Sequence, residues 1–227
     1  MDVDRDSIDE PDERKGLLPS HSPAKVSEQI RPAILSVLVL TVLTGVVFPL
    51  LLFAISRPLF PRQVQGSLIK RDGVVIGSEL IGQEFTQSKY FQPRPSAAGT
   101  GYDGTASGGT NLSPDNPKLL NGSMDFAGVR QLAEAYRRSN GLAPGAVIPI
   151  DAVTRSASGL DPHISLANAL LQVPRVARAR RLSEEAVRRL VMDLLEGRQF
   201  GFLGDPRLSV LELNLALDKE SSDRVIR

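Results

Sequence analysis

Residues 33–55, AILSVLVLTVLTGVVFPLLLFAI, contain no charged side chain, and sixteen of the 23 are Leu, Ile, Val or Phe. As a helix rising about 1.5 Å per residue, the run covers a hydrocarbon core about 30 Å thick. Each large apolar residue near its centre favours insertion by roughly 0.3–0.6 kcal/mol. The run therefore predicts one transmembrane helix, residues 30–56. Gly45 and Pro49 do not overturn this, because backbone groups freed in lipid find partners in adjacent turns and neighbouring helices. The run is longer than the apolar part of a signal peptide, about 7–15 residues. SRPLFPRQ after it offers no small-residue cleavage site, so the helix reads as an uncleaved anchor.

Beyond the anchor the pattern shortens. QVQGSLIK and GVVIGSELIG flank Asp72-Gly73, a dipeptide that joins hairpin strands. Phe126, Val129, Ala133 and Tyr136 recur at helical spacing, predicting a helix over residues 124–138 with Gly141 just past its end. After Ser183, the positions Val187, Leu190, Val191, Leu194 and Leu195 make an apolar helical stripe, with Glu184 and Glu185 in the first turn and Gly197 as the stop. LELNLAL alternates Leu211, Leu213, Leu215 and Leu217 with smaller or polar residues, which predicts a half-buried strand. Leu208 and Val210 fall on the opposite parity, placing a bulge or strand start near Leu211. Together these elements predict an α+β chain: a single N-terminal transmembrane helix followed by one mixed α/β domain over residues 57–227.

Between them, Pro93 to Pro117 is dense in Gly, Ser, Asn and Pro and longer than ordinary connections. Its Gly108-Gly109 pair suggests a phosphate loop, but the Walker pattern requires a Lys where Thr110 stands. An ordered surface loop is the favoured reading, and a nest of backbone N–H groups is the alternative.

Charge and composition narrow the function. Residues 57–227 hold 22 Lys and Arg against 18 Asp and Glu. This small, dispersed excess is not a nucleic-acid-binding signature. The absence of cysteine removes disulfides, thiol nucleophiles and Cys-ligated zinc, and the two histidines, His21 and His163, lie too far apart to suggest a metal site. Residues 1–29, charged and without apolar periodicity over most of their length, read as a disordered leader. Arg14, Lys15, Lys25 and Arg31 before the anchor balance Arg57, Arg62, Lys70 and Arg71 after it, so the positive charges leave orientation open.

The most chemically suggestive stretch is SGLDPHIS, residues 158–165. Asp161 before Pro162 has the form of a helix start, the carboxylate capping and the proline at the first helical position. Ser165 caps instead if the helix begins later, with LANALLQ as its body until Pro174 interrupts it. Either way His163 falls in the first turn, where the dipole disfavours an imidazolium. Ser158, Asp161 and His163 crowded on one turn cannot readily align as a catalytic triad. A structural or partner-contact role is favoured over an anchored hydrolase using Asp161 and His163. Arg175, Arg178, Arg180 and Arg181 form either a partner-facing patch or, more simply, a solvated helix face.

Taken as an ordered set, RPAI, TGVVFPL, GSELIGQEF, YFQPRPSAAG, SGGTNLSPDNP, SGLDPHIS, QVPRVARAR and GFLGDPRLSVLELNLALD resemble the KdpC family, the C subunits of the bacterial high-affinity potassium-transporting P-type ATPase. The resemblance runs from about Gln29 to Asp218. It implies a single-span subunit of the plasma membrane with a cytoplasmic N-terminus and an extracytoplasmic domain. It also implies three partners: a potassium-translocating A subunit, an ATP-hydrolysing B subunit and a small single-helix F subunit. Potassium is then the transported ion, ATP acts through the complex, and no cofactor is held firmly by this chain, which is a non-catalytic accessory.

Two roles fit that family. One is assembly, with the anchor packing at Thr41 and Gly45, a small-xxx-small pair. The other is that of a catalytic chaperone raising the ATP affinity of the B subunit, with Ser156, Ser158, Gly159, Asp161 and His163 near nucleotide or partner. About 30 Å of hydrocarbon between an outer domain and cytoplasmic ATP argues against direct contact, so the effect would travel as coupling between distant sites. Two departures from the family pattern stand out. The first 26 residues look like an addition, and Ala157 in TRSASG stands where the family carries glycine, which would strain any positive-φ backbone there.

Overall fold

A computed structural model describes residues 26–225, which fall into two compact units meeting at Pro61 and Arg62. Residues 1–25 of the expected leader, with His21, lie outside the described residues.

The described part of the first unit is mainly a helical rod of 34 residues, Val26–Leu59, long and apolar enough to cross a membrane. It comprises α1 (Val26–Val42), a π-helical turn (Leu43–Val47) and α2 (Phe48–Leu59). The π turn has a local cause. Pro49 has no N–H to offer, and its ring would press on the carbonyl four residues back, at Gly45. Widening the turn relieves that clash, and the Phe48 N–H reaches back five residues to the Leu43 carbonyl. Thr44 Oγ1 donates to the Leu40 carbonyl at 2.7 Å, so this hydroxyl is satisfied within the rod.

The second unit mixes helices with two small antiparallel sheets. After the short α3 (Pro61–Val64), β1 (Leu68–Arg71) and β2 (Val74–Ser78) form the hairpin expected around Asp72-Gly73. Both turn residues have positive φ, 51° and 79°, as a tight hairpin turn requires. The register is Leu68 to Ser78 and Arg71 to Val74, with an irregularity between Ile69 and Lys70. Pro93 to Pro117 is irregular, as the sequence predicts, and leads into α4 (Pro117–Asn121).

Helix α5 (Val129–Asn140) starts three residues beyond Phe126 and ends at Gly141, whose φ of 65° is the left-handed stop. Phe126 lies outside it, with the Arg155 guanidinium 4.3 Å from its ring centroid. Helix α6 (Leu166–Arg180) follows β3 (His163–Ser165), and Ser165 Oγ caps it by accepting from the Asn168 N–H. Pro174 does not interrupt α6, contrary to expectation. Its neighbours Val173, Arg175, Val176 and Ala177 are all buried, and this packing holds the helix together across the missing donor. Helix α7 (Glu184–Asp193) starts after Ser183 as predicted, with the Ser183 hydroxyl accepting from the Ala186 N–H, and buries Val187 and Val191, but it ends at Asp193, short of the expected stop at Gly197.

The segment predicted as a strand, LELNLAL, is instead the start of α8 (Val210–Val225). Only Arg207–Ser209 is extended, as β4, which pairs antiparallel with β3. The alternating leucines concealed a helical stripe. Val210, Leu213, Asn214 and Leu217 are buried, the i, i+3, i+4, i+7 pattern with an asparagine in one apolar slot.

The main core joins Val173, Val176 and Ala177 of α6, Val187 and Val191 of α7, and Leu213 and Leu217 of α8 around Phe91 and Ile164. Through it runs a polar spine. Asn214 accepts from the Phe91 N–H at 2.8 Å and donates to the Phe91 carbonyl at 2.9 Å. Gln172 does the same for Gln92, at 2.7 and 3.0 Å. Arg175 donates to Asn140 Oδ1, to the Ser88 and Tyr90 carbonyls and to Gln172. Phe91 and Gln92, with no strand beside them, thus obtain their backbone hydrogen bonds from side chains.

Asn214→Leu is near-isosteric but leaves both backbone groups of buried Phe91 without partners. At about 1–3 kcal/mol per unsatisfied group, the full chain should lose about 2–4 kcal/mol, read as a lowered midpoint of urea unfolding in detergent.

Candidate functional site

The stretch SGLDPHIS does not begin a helix. Pairing with β4 places His163, Ile164 and Ser165 opposite Ser209, Leu208 and Arg207, and the helix waits until Leu166. The expected cap at Asp161 and the expected dipole effect on His163 therefore both lapse: the ladder supplies partners that an earlier helix start would forgo.

Asp161 serves as a clasp between segments. Its Oδ2 accepts from Arg94 Nη1 at 2.7 Å, and its Oδ1 accepts from the His163 N–H at 3.0 Å. His163 Nδ1 lies 3.4 Å from the same oxygen, and its Nε2 lies 3.9 Å from Glu196 Oε1. Glu196 in turn pairs with Arg207 at 3.0 Å. Burial alone would raise the Asp161 pKa, but hydrogen bonds from the His163 side chain and backbone and from Arg94, with the Arg94 charge, outweigh it. The pKa falls from 3.8 to about 2.

The glycine-rich loop folds onto the same stretch. Ser96 Oγ donates to the Gly159 carbonyl at 2.7 Å and accepts from the Ala98 and Tyr102 N–H groups. The Gly108 N–H and Ser107 Oγ both donate to the Ser158 carbonyl. Gly159 has φ +69°, and a Cβ there would lie 2.6 Å from Ala98 N and from Gly108 O. Gly109 is equally confined, since its Cβ would lie 2.7 Å from the Ala157 carbonyl. Positive φ falls on Gly159, and Ala157 is not among the left-handed residues. The strain expected from alanine at 157 is therefore absent. Tyr102 OH donates to the Arg94 carbonyl, and burial, with a smaller contribution from Glu84, raises its pKa.

The structure thus gathers Ser158, Gly159, Asp161 and His163 around one contact. Ser156 is buried nearby in sequence, while Ser158 is exposed, its Oγ accepting from the Leu160 N–H at 3.1 Å. Arg178 is exposed on α6. Arg175, expected on a partner-facing patch, is instead buried in the polar spine, because Asn140, Gln172 and two carbonyls engage its donors. Thr41 and Gly45 lie in the separate helical unit, where nothing stands within 4 Å of a Gly45 Cβ. Sequence reasoning missed Arg94, Ser96, Tyr102, Glu196 and Arg207. Arg94 and Asp161 are 67 residues apart, and no local pattern links them.

Residues 30–219 match the family model KdpC, the c chain of the K+-transporting ATPase, and the chain belongs to that family. Among its relatives, the potassium-transporting ATPase KdpC subunit of Mycobacterium tuberculosis is 51% identical over 191 residues, covering 84% of this chain and 98% of the relative. The subunit of the same name from Methylococcus capsulatus is 52% identical, with 83% and 96% covered. That of Rhodopseudomonas palustris is 48% identical over 203 residues, with 84% and 98% covered.

A carboxylate depressed from 3.8 to about 2 stabilises the fold above pH 4 and loses that contribution as the pH falls towards 2. Asp161→Asn should therefore cost about 1–2 kcal/mol at pH 6 after allowance for partial exposure. The difference from the unmodified chain should vanish near pH 2, as measured by urea unfolding at both values.

Proposed function

We propose that this chain assembles and stabilises the potassium pump, as a single-span accessory subunit with its N-terminus in the cytoplasm and its folded domain outside the cell. The A, B and F subunits are its partners, potassium is the transported ion and ATP is used by the B subunit. The observation that carries the reading is a membrane-length helix, Val26–Leu59, within a family match that reaches from the helix through most of the domain.

The clasp favours this role over hydrolysis or direct nucleotide binding. The Asp161 carboxylate is occupied by Arg94 and His163, and the Gly159 backbone is closed over by Ala98 and Gly108. These groups hold two loops together. Any effect on ATP affinity would follow from assembly, as coupling through the complex. In the helix, the bare backbone at Gly45 and the short side chain at Thr41 give a neighbouring helix a close approach.

Thr41→Leu with Gly45→Leu keeps the helix apolar but fills that approach. Co-purification of the other pump subunits in mild detergent should fall about tenfold, and undiminished recovery would remove the helix from assembly. Orientation has its own test. The chain has no cysteine, so Met124→Cys and Val147→Cys, at exposed positions, each supply a single thiol. A membrane-impermeant maleimide should label both in intact cells, and protection until lysis would reverse the topology.

A further inference from the structure

Residues 196–207 form a finger that the assembly role does not yet explain. Its base is closed by paired backbone hydrogen bonds between Glu196 and Arg207, at 2.9 and 3.0 Å, reinforced by their ion pair. Higher up, Gln199 and Leu203 exchange hydrogen bonds of 2.9 Å in both directions, and the Phe202 N–H donates to the Gln199 carbonyl at 3.2 Å. The tip is apolar and faces solvent: Phe200 is 87% exposed, Phe202 70% and Leu203 45%.

The turn at the tip is built at a cost. Phe200 and Gly201 have consecutive positive φ values of 52° and 81°, the requirement of a type I′ turn, which favours Asn, Asp or Gly in both places. The same chain meets that requirement at β1 and β2 with Asp72-Gly73. At the finger it places a bulky aromatic in the left-handed region, which costs about 1–2 kcal/mol, with its ring out in water. Neither local turn chemistry nor the domain core accounts for this choice.

We infer that residues 198–204 are a docking finger that seats Phe200 and Phe202 in an apolar cleft of another subunit of the pump. This rests on the reading of the chain as an assembly subunit. Two features favour a protein cleft over a lipid surface. The finger is neutral, since Arg198 pairs with Asp205 at 3.3 Å and Arg207 with Glu196, so it offers no unpaired cation to anionic headgroups. Its backbone is also held in one turn geometry by the hydrogen bonds beneath the tip, so both rings project from a fixed frame, as a shaped pocket needs and a fluid bilayer does not. Aromatic side chains presented on an ordered backbone are the usual anchors of protein interfaces. Because Glu196 faces both Arg207 and His163, the finger rests directly on the Asp161 clasp.

The test uses the full chain in the assembled pump. Phe200→Asn suits the left-handed turn better than phenylalanine, so with Phe202→Ser it should leave the thermal midpoint of the chain unchanged or higher. The same double variant should shorten the half-life of the detergent-purified complex about tenfold. An unaltered half-life overturns the finger. If Thr41→Leu with Gly45→Leu still dissociates the complex in that case, the assembly role survives; if neither does, both fail. The chain lacks tryptophan, so Phe202→Trp in the full chain reconstituted alone gives a single tryptophan, excited at wavelengths where the three tyrosines do not absorb. Acyl-chain-brominated lipids should leave its fluorescence unquenched, and quenching would make the finger a lipid anchor and overturn the protein cleft.

Discussion

The domain depends on how a stretch of chain without a sheet, Ser88 to Gln92, satisfies its backbone. Phe91 is buried in the core with no strand alongside, and backbone groups left unpaired there would cost about 1–3 kcal/mol each. Asn214, Gln172 and Arg175 supply the partners from two helices. This ties α6 and α8 to the same piece of chain and fixes their spacing around Phe91. Tyr136, Asn168 and Asp151 extend the spine into a second cluster, where Asp151 also receives the N–H and hydroxyl of the cap residue Ser165.

That spine carries the rest of the architecture. With Ser165 held, α6 begins where it does and β3 stays extended to pair with β4. The Asp161 clasp follows from that pairing, since His163 must point its backbone N–H at the carboxylate as the strand begins. The glycine-rich loop closes over the result because Gly159 and Gly109 admit backbone where any side chain would collide. The long irregular stretch is therefore an ordered cover whose compactness comes from carbonyls and hydroxyls rather than from apolar packing.

Function is divided between the two units. On the proposed reading, the membrane-length rod offers a close approach at Gly45 and the domain offers its aromatic finger. The residues that look catalytic in one dimension, Ser158, Asp161 and His163, are held by Arg94, Glu196 and main-chain groups in three.

The sequence by itself determined the features whose cause is local. These are the membrane-length helix, from hydrophobicity and length, the hairpin at Asp72-Gly73, from turn chemistry, and the α7 helix, from its acidic first turn and apolar stripe; the ordered motifs were sufficient for the family. Tertiary structure decided whatever depended on distant partners. LELNLAL is a helix because Asn214 is buried as a ligand of Phe91, a role that polarity disguises. Pro174 stays within α6 because packing on both sides outweighs one lost donor. Arg175 leaves the surface because four acceptors, three of them at least 35 residues away in sequence, await it inside. Arg94 met Asp161 only once the chain had folded, since an ion pair between segments leaves no periodicity in either.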